Sequence, residues 1–202
     1  MTLEVGGIID LSLHLLDLLQ NSAHAGARNI RASVIEDQER DLLEITVSDD
    51  GRGMNPVEQA RALDPFYTSS NKKQVGLGLP LVAQAATMAG GSVSIEGNQS
   101  GGTRVVVKYR LSHPDRQPLG DVAATMTSFI AGNPLVDVLF EYKGPKDTFR
   151  LDTKEIRAEV DKLGLGQLAF IWETEEKLRG GLSLAGYRPD RGGLVHEIDG
   201  RS

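Results

Sequence analysis

The chain has no cysteine. Disulfides, thiolate catalysis and Cys-ligated metal sites are therefore excluded. Its four histidines, His14, His24, His113 and His196, are scattered without metal-ligand spacing. Long apolar runs are also missing. The richest stretch, Ile8 to Leu19, is broken by Asp10, Ser12, His14 and Asp17, so neither a membrane span nor a signal peptide is expected. Positive charge is in deficit: 22 Lys and Arg against 28 Asp and Glu give a net charge of −6. That balance argues against a nucleic-acid backbone or an anionic membrane as the main partner, and a cytoplasmic location is expected. No GxxxxGK[ST] phosphate loop occurs. The one glycine pair before a helix lacks the third glycine of a dinucleotide fingerprint, since position 81 is Leu.

What is present fits 202 residues organised as one large domain, or one domain with a small appendage. Leu11, Leu15, Leu18 and Leu19 recur at helical spacing from Asp10 to about Ala25, with Asp10 or Ser12 as N-cap and Gly26 as terminator. Ile30, Ala32 and Val34 alternate, then Leu43, Ile45 and Val47, which predicts a hairpin. A short helix from Asn55 to Leu63 follows. After a polar segment comes a helix from about Leu79 to Ala89, with Pro80 in its first turn. Val93 and Ile95, then Val105, Val107 and Tyr109, give a second hairpin. The order helix, two strands, helix, helix, two strands predicts an α+β fold, a two-layer α/β sandwich over residues 1–111. Residues 112–118 read as a linker.

The chemistry-bearing residues fall in four places. Asp17 and Asn21 stand four apart on one face of the first helix. The strand Leu42 to Ser48 runs into Asp49-Asp50-Gly51-Arg52-Gly53, where carboxylates meet glycines that let a ligand approach the backbone. Lys72 and Lys73 lie in a polar segment, followed by Gly76 and Gly78 before a helix start, an arrangement suited to phosphates. Gly101-Gly102-Thr103 opens the last strand of the sandwich. An acceptor-only group such as Asp49 suits the exocyclic amine of adenine and opposes the carbonyl oxygen of guanine. Asn21 offers a neutral oxygen to magnesium, a hard cation that binds through few protein groups plus phosphates. Asp50 and Arg52 are left to the surface, and His14 is read as structural.

The ordered set Asn21, Asp49-x-Gly51-x-Gly53, Pro65-Phe66-Tyr67-Thr68, Gly76-Leu77-Gly78-Leu79 and Gly101-Gly102-Thr103 resembles the ATP-binding (Bergerat) domain of the GHKL superfamily. That superfamily joins gyrase, Hsp-type chaperones, mismatch-repair ATPases and histidine kinases. The resemblance covers roughly residues 10 to 111. It implies ATP and Mg2+ as ligands, with Asn21 on magnesium, Asp49 on adenine, and Gly51 and Gly53 as the first glycine box. Gly76 and Gly78 match the second box, beside the phosphates, and Thr103 the threonine that supports the base. Lys72 or Lys73 resembles the lid lysine of histidine kinases. Where the hydrolysing branch carries a glutamate general base, this chain has Asp17, one methylene shorter. The phosphoacceptor helices of a histidine kinase are missing from the pattern.

In the second half, a helix (Asp121 to Ala131), strands (Val136 to Tyr142, Thr148 to Leu151) and helices (Lys154 to Leu163, Gln167 to Arg179) predict a small α+β module over 119–180. Residues 181–202 read as a flexible tail. Pro118-Leu119-Gly120-Asp121 and Asp152-Thr153-Lys154-Glu155-Ile156 resemble stand-alone ATP-binding proteins that accompany iron-hydrogenase and NADH-dehydrogenase-like subunits. That resemblance implies a redox-enzyme partner. A module without chemistry otherwise suits protein binding or a homodimer. Two functions are expected: an ATPase or protein kinase with Asp17 as base, or an ATP-gated, anti-sigma-like regulator without turnover.

Overall fold

The computed structural model describes residues 10–64, 78–97 and 101–189. In chain order its elements are α1 (Leu11–His24), β1 (Asn29–Asp37), β2 (Leu42–Asp49), α2 (Pro56–Arg61), α3 (Gly78–Met88), β3 (Ser92–Gly97) and β4 (Thr103–Arg110). They continue with α4 (Val122–Gly132), β5 (Asp137–Lys143), β6 (Thr148–Asp152), α5 (Thr153–Lys162) and α6 (Gln167–Leu184). The described strands form one sheet in the order β3-β4-β2-β1-β5-β6, so the fold is mixed α+β. The two hairpins expected from alternation are present: β1 with β2 and β3 with β4, both antiparallel.

Alternation decides which face of the sheet is covered. Ile30, Ala32 and Val34 of β1, with Leu43, Ile45 and Val47 of β2, are buried and join one core with Leu11, Leu15 and Leu19 of α1. Each of the Leu, Ile and Val side chains contributes about 1.5–3 kcal/mol on full burial. The alternate positions carry Arg31, Ser33 and Glu44 and stay at least partly in solvent. Of the two N-cap candidates, Asp10 serves: its carboxylate accepts from Leu13 N at 3.1 Å, while the buried Ser12 hydroxyl donates to it at 2.7 Å. His14 is buried and bonded to Gln117 at 3.0 Å, a structural placement.

Residues 119–180, expected as a small α+β module, share the sheet of the first half. β5 pairs in parallel with β1, and β6 pairs antiparallel with β5, so both extend the sheet that carries the first half. Thr153 seals the junction: it is fully buried and its hydroxyl accepts from Val138 N at 2.8 Å. The expected flexible tail, 181–202, is corrected over its described part. α6 runs on to Leu184, and Leu182, Ala185 and Tyr187 are buried. The Tyr187 hydroxyl donates to Gly120 O and accepts from Val122 N, which pins residues 185–188 to the start of α4. Burial and the negative charge of Asp121 nearby push its pKa up to about 12. Residues 190–202 lie outside the described part. Among the described residues no helix is long and apolar enough to cross a membrane.

Candidate functional site

The site grows from the end of β2. Asp49 is its last residue and is 7% exposed. Oδ1 accepts from Gly51 N at 2.9 Å and Thr103 N at 3.2 Å, and Oδ2 accepts from the Ser22 hydroxyl at 2.9 Å. A carboxylate offers about four lone-pair positions. Three are filled by the protein, which leaves one acceptor position, on Oδ2, for an outside donor. An ionised carboxylate this buried needs such bonds to remain in place.

The surrounding backbone comes close because it is glycine. A Cβ at Gly102, whose φ is +90°, would lie 1.9 Å from the Asp49 carbonyl oxygen. A Cβ at Gly51 would lie 2.9 Å from Ala25 O and 3.1 Å from Asp49 Oδ1. Gly53 packs against Gly102, where an added Cβ would sit 3.0 Å from the Gly102 carbonyl oxygen. The Asp49 loop, the Gly101-Gly102 turn and the end of α1 are thus one cradle, closed further by Arg52 N donating to Ala25 O at 3.0 Å. Thr103 takes part through its backbone and is itself buried.

Asp17 and Asn21 project from α1 on its exposed side, one turn apart. Gly78, the first residue of α3, sits against Asp17: a Cβ there would be 3.4 Å from Asp17 Cβ and 3.6 Å from Oδ2. The acidic residue and Gly78 of the second glycine box therefore meet. Packing around the Asp17 carboxyl strips water from it and raises its pKa, while His14 pulls the other way. A raised carboxylate pKa suits a proton acceptor. Lys72, Lys73, Gly76 and the Pro65-Phe66-Tyr67-Thr68 run lie outside the described residues.

Two contributors were not legible beforehand. Ser22 supplies a donor to Asp49 and follows Asn21 directly, so the only signal was a buried hydroxyl on an apolar helix face. Asp50, read as surface, fastens the loop to β1: Oδ1 accepts from Arg28 N (2.7 Å) and Asn29 N (2.9 Å), and Oδ2 from Asn29 Nδ2 (2.7 Å). Loss of hydration opposes its ionisation, but the bonds from Asn29 and Arg28 outweigh it and hold its pKa below the ordinary value. Lys154 Nζ of α5 donates to Asn29 Oδ1 at 2.7 Å, so a chain of contacts runs from α5 to the residue beside Asp49. Arg52 pairs with Glu58 at 3.1 Å across the capping box of α2.

Among the described residues, no group of three or more His, Cys, Asp or Glu is arranged to hold a metal by itself. The oxygen of Asn21 fits magnesium brought in with a polyphosphate, in which most ligands are phosphate and water oxygens.

A family model described as "Histidine kinase-, DNA gyrase B-, and HSP90-like ATPase" matches residues 6–113. The sensor-type histidine kinase PrrB of Mycobacterium leprae is 36% identical over 93 residues, 45% of this chain and 20% of that protein. The non-motile and phage-resistance protein of Caulobacter vibrioides is 31% identical over 119 residues, 54% of this chain and 14% of that protein. The chain thus spans a fifth or less of the length of these curated relatives. Among solved structures, the ATP-binding domain of PrrB from Mycobacterium tuberculosis superposes with a TM-score of 0.37 at 28% identity, over 50% of this chain and 67% of that one.

Proposed function

The chain belongs to the histidine kinase-, DNA gyrase B- and HSP90-like ATPase family, and from that premise we propose that it binds Mg-ATP and either hydrolyses it slowly or passes its γ-phosphate to a protein. The observation that carries this reading is the Asp49 carboxylate, with three acceptor positions filled by the protein and one left. That remaining position accepts one N–H, as the adenine amine provides. Gly51, Gly53 and Gly102 let the backbone close tightly around Asp49 and so hold its carboxylate in place. Asn21 would supply the protein oxygen to magnesium, and Gly76 and Gly78 would border the phosphates with Lys72 or Lys73.

Magnesium, when bound, would neutralise charge on the phosphate oxygens. Asp17 would take a proton from a water whose oxygen bonds to the γ-phosphorus as the bond to ADP breaks. Phosphate release by the purified chain, lost in Asp17→Ala while ATP binding persists, supports hydrolysis. Binding without release in the unaltered chain removes it.

A second reading, an ATP-gated regulator, is favoured by one specific feature. The contacts Lys154–Asn29–Asp50 join the loop beside Asp49 to α5, so a nucleotide that prefers one loop arrangement would bias the C-terminal half. That half is then the protein-binding part, and a redox-enzyme subunit of the hydrogenase or NADH-dehydrogenase-like kind is the first partner to test. The motifs Pro118–Asp121 and Asp152–Ile156 support that choice, and the cytoplasm is the compartment it requires. Co-purification from native cells tests it, and recovery of the chain without such a subunit counts against it.

A further inference from the structure

A cavity of 390 Å³ opens at the other end of β2 from Asp49. Leu43, on its wall, is six residues back along β2, roughly 20 Å at the rise of an extended strand. The cavity is therefore separate from the nucleotide site. Its walls come from four parts of the chain: the β1–β2 hairpin, the connection after β4, the β5–β6 turn and the segment after α6. A space of this size is at the lower end of what small-molecule sites occupy, about 300–1,000 Å³.

The lining has two chemistries. Leu43, Leu111 and Leu119 give it an apolar part, with Leu43 and Leu119 buried in the core. Arg116, Lys146 and Arg188 bring three positive charges to the same cavity. Among the described residues none of the three has a carboxylate within ion-pair distance, in a chain whose net charge is −6. Glu36, the one carboxylate on the wall, accepts the Tyr142 hydroxyl instead. Arg116 is held in place by donating Nε to Leu111 O at 2.7 Å and Nη1 to Gln117 O at 2.9 Å. Two of its five N–H groups are used there, so a fixed fork with donors to spare lines the cavity.

We propose that this cavity binds a small monocarboxylate with a short apolar body. The carboxylate pairs with Arg116, Lys146 and Arg188, and the hydrocarbon lies on the leucines. A bare inorganic anion would use only half of the lining. Each further methylene buried tightens binding about fourfold. Because the walls come from four segments far apart in sequence, occupancy clamps them together and raises the melting temperature.

Hexanoate is the probe, titrated calorimetrically into the full chain alongside butanoate, hexan-1-ol and inorganic phosphate. Expected are saturable binding of hexanoate with a rise in Tm, butanoate weaker by over tenfold, and hexanol and phosphate weaker still. Lys146→Gln/Arg188→Gln, at two exposed positions, is expected to weaken hexanoate at least tenfold while ATP affinity stays unchanged. Lys146→Glu/Arg188→Glu is expected to abolish it. Unsaturable hexanoate binding, equal binding of hexanol or phosphate, displacement by ATP, or full affinity in the neutralised variant would each overturn the assignment.

Discussion

The Ser22 hydroxyl donates to Asp49 Oδ2 at 2.9 Å, joining the last buried position of α1 to the end of β2 across 27 residues of chain. This contact fills one acceptor position of Oδ2 and helps fix the orientation of the carboxylate. Ser22→Ala removes a donor to a buried charged group, which costs about 1.5–3 kcal/mol. Urea unfolding of the variant is expected to show a loss of that size, together with weaker ATP binding. A variant as stable as the parent would mean that the bond does not form in solution.

Two glycine substitutions are expected to go opposite ways. Gly102→Ala places a Cβ 1.9 Å from the Asp49 carbonyl oxygen at φ +90°, so the cradle must open. ATP binding should fall at least tenfold. Gly180→Ala meets nothing within 4 Å on the exposed side of α6. There alanine only removes freedom from the unfolded chain, which raises stability by about 0.4–1 kcal/mol. Denaturation midpoints compare the pair directly.

The acid limb of stability has a traceable contributor at the β1–β2 turn. Asp41 bonds the Arg110 side chain at 2.8 Å and both the hydroxyl and the backbone N–H of Ser112 at 2.7 Å. These contacts, Arg110 foremost, lower its pKa to about 2 from 3.8. The folded value lies below the unfolded one, so the contribution is fully present above about pH 4 and is lost as the pH falls towards 2. Asp41→Asn should therefore narrow the stability difference between pH 5 and pH 2.5 in urea titrations. Because the pair is exposed, 1 M salt should shrink the effect.

Asp17 gives a kinetic prediction. Its pKa is raised by burial, with His14 opposing, and a general base acts in its deprotonated form. Phosphate release should decline on the acid side with an apparent pKa above 3.8, the ordinary value. Asp17→Asn should lose turnover while ATP affinity changes by less than about threefold. Loss of both together would place Asp17 in binding rather than chemistry.

How much of this was legible in the sequence depends on the distance over which each feature is determined. The β1–β2 hairpin and the Asp49 loop are local, since alternation and glycine placement within about 20 residues specify them. The α+β class followed from the order of such units. Asp50 is exposed, as expected, but its anchoring role was not legible because its partners, Arg28 and Asn29, are 22 and 21 residues away and two of the three bonds come from their backbone. The pairing of β5 with β1 in parallel joins segments about 100 residues apart, and side-chain period alone does not select a neighbour at that range. The last helix was expected to end at Arg179, yet α6 continues through Gly180-Gly181 to Leu184. The Phe149 ring packs onto Gly181 so closely that a Cβ would lie 2.0 Å from it. Tertiary packing, not helix termination, placed that glycine.

The central claim is that the Asp49 carboxylate recognises adenine with its one remaining acceptor position. Equilibrium binding of ATP and GTP to the unaltered chain and to Asp49→Asn tests it most directly. The unaltered chain should prefer ATP, and Asp49→Asn, which replaces an acceptor oxygen with a donor, should weaken ATP by about 10–100-fold, or 1.4–2.7 kcal/mol. ATP affinity left intact in Asp49→Asn would contradict it.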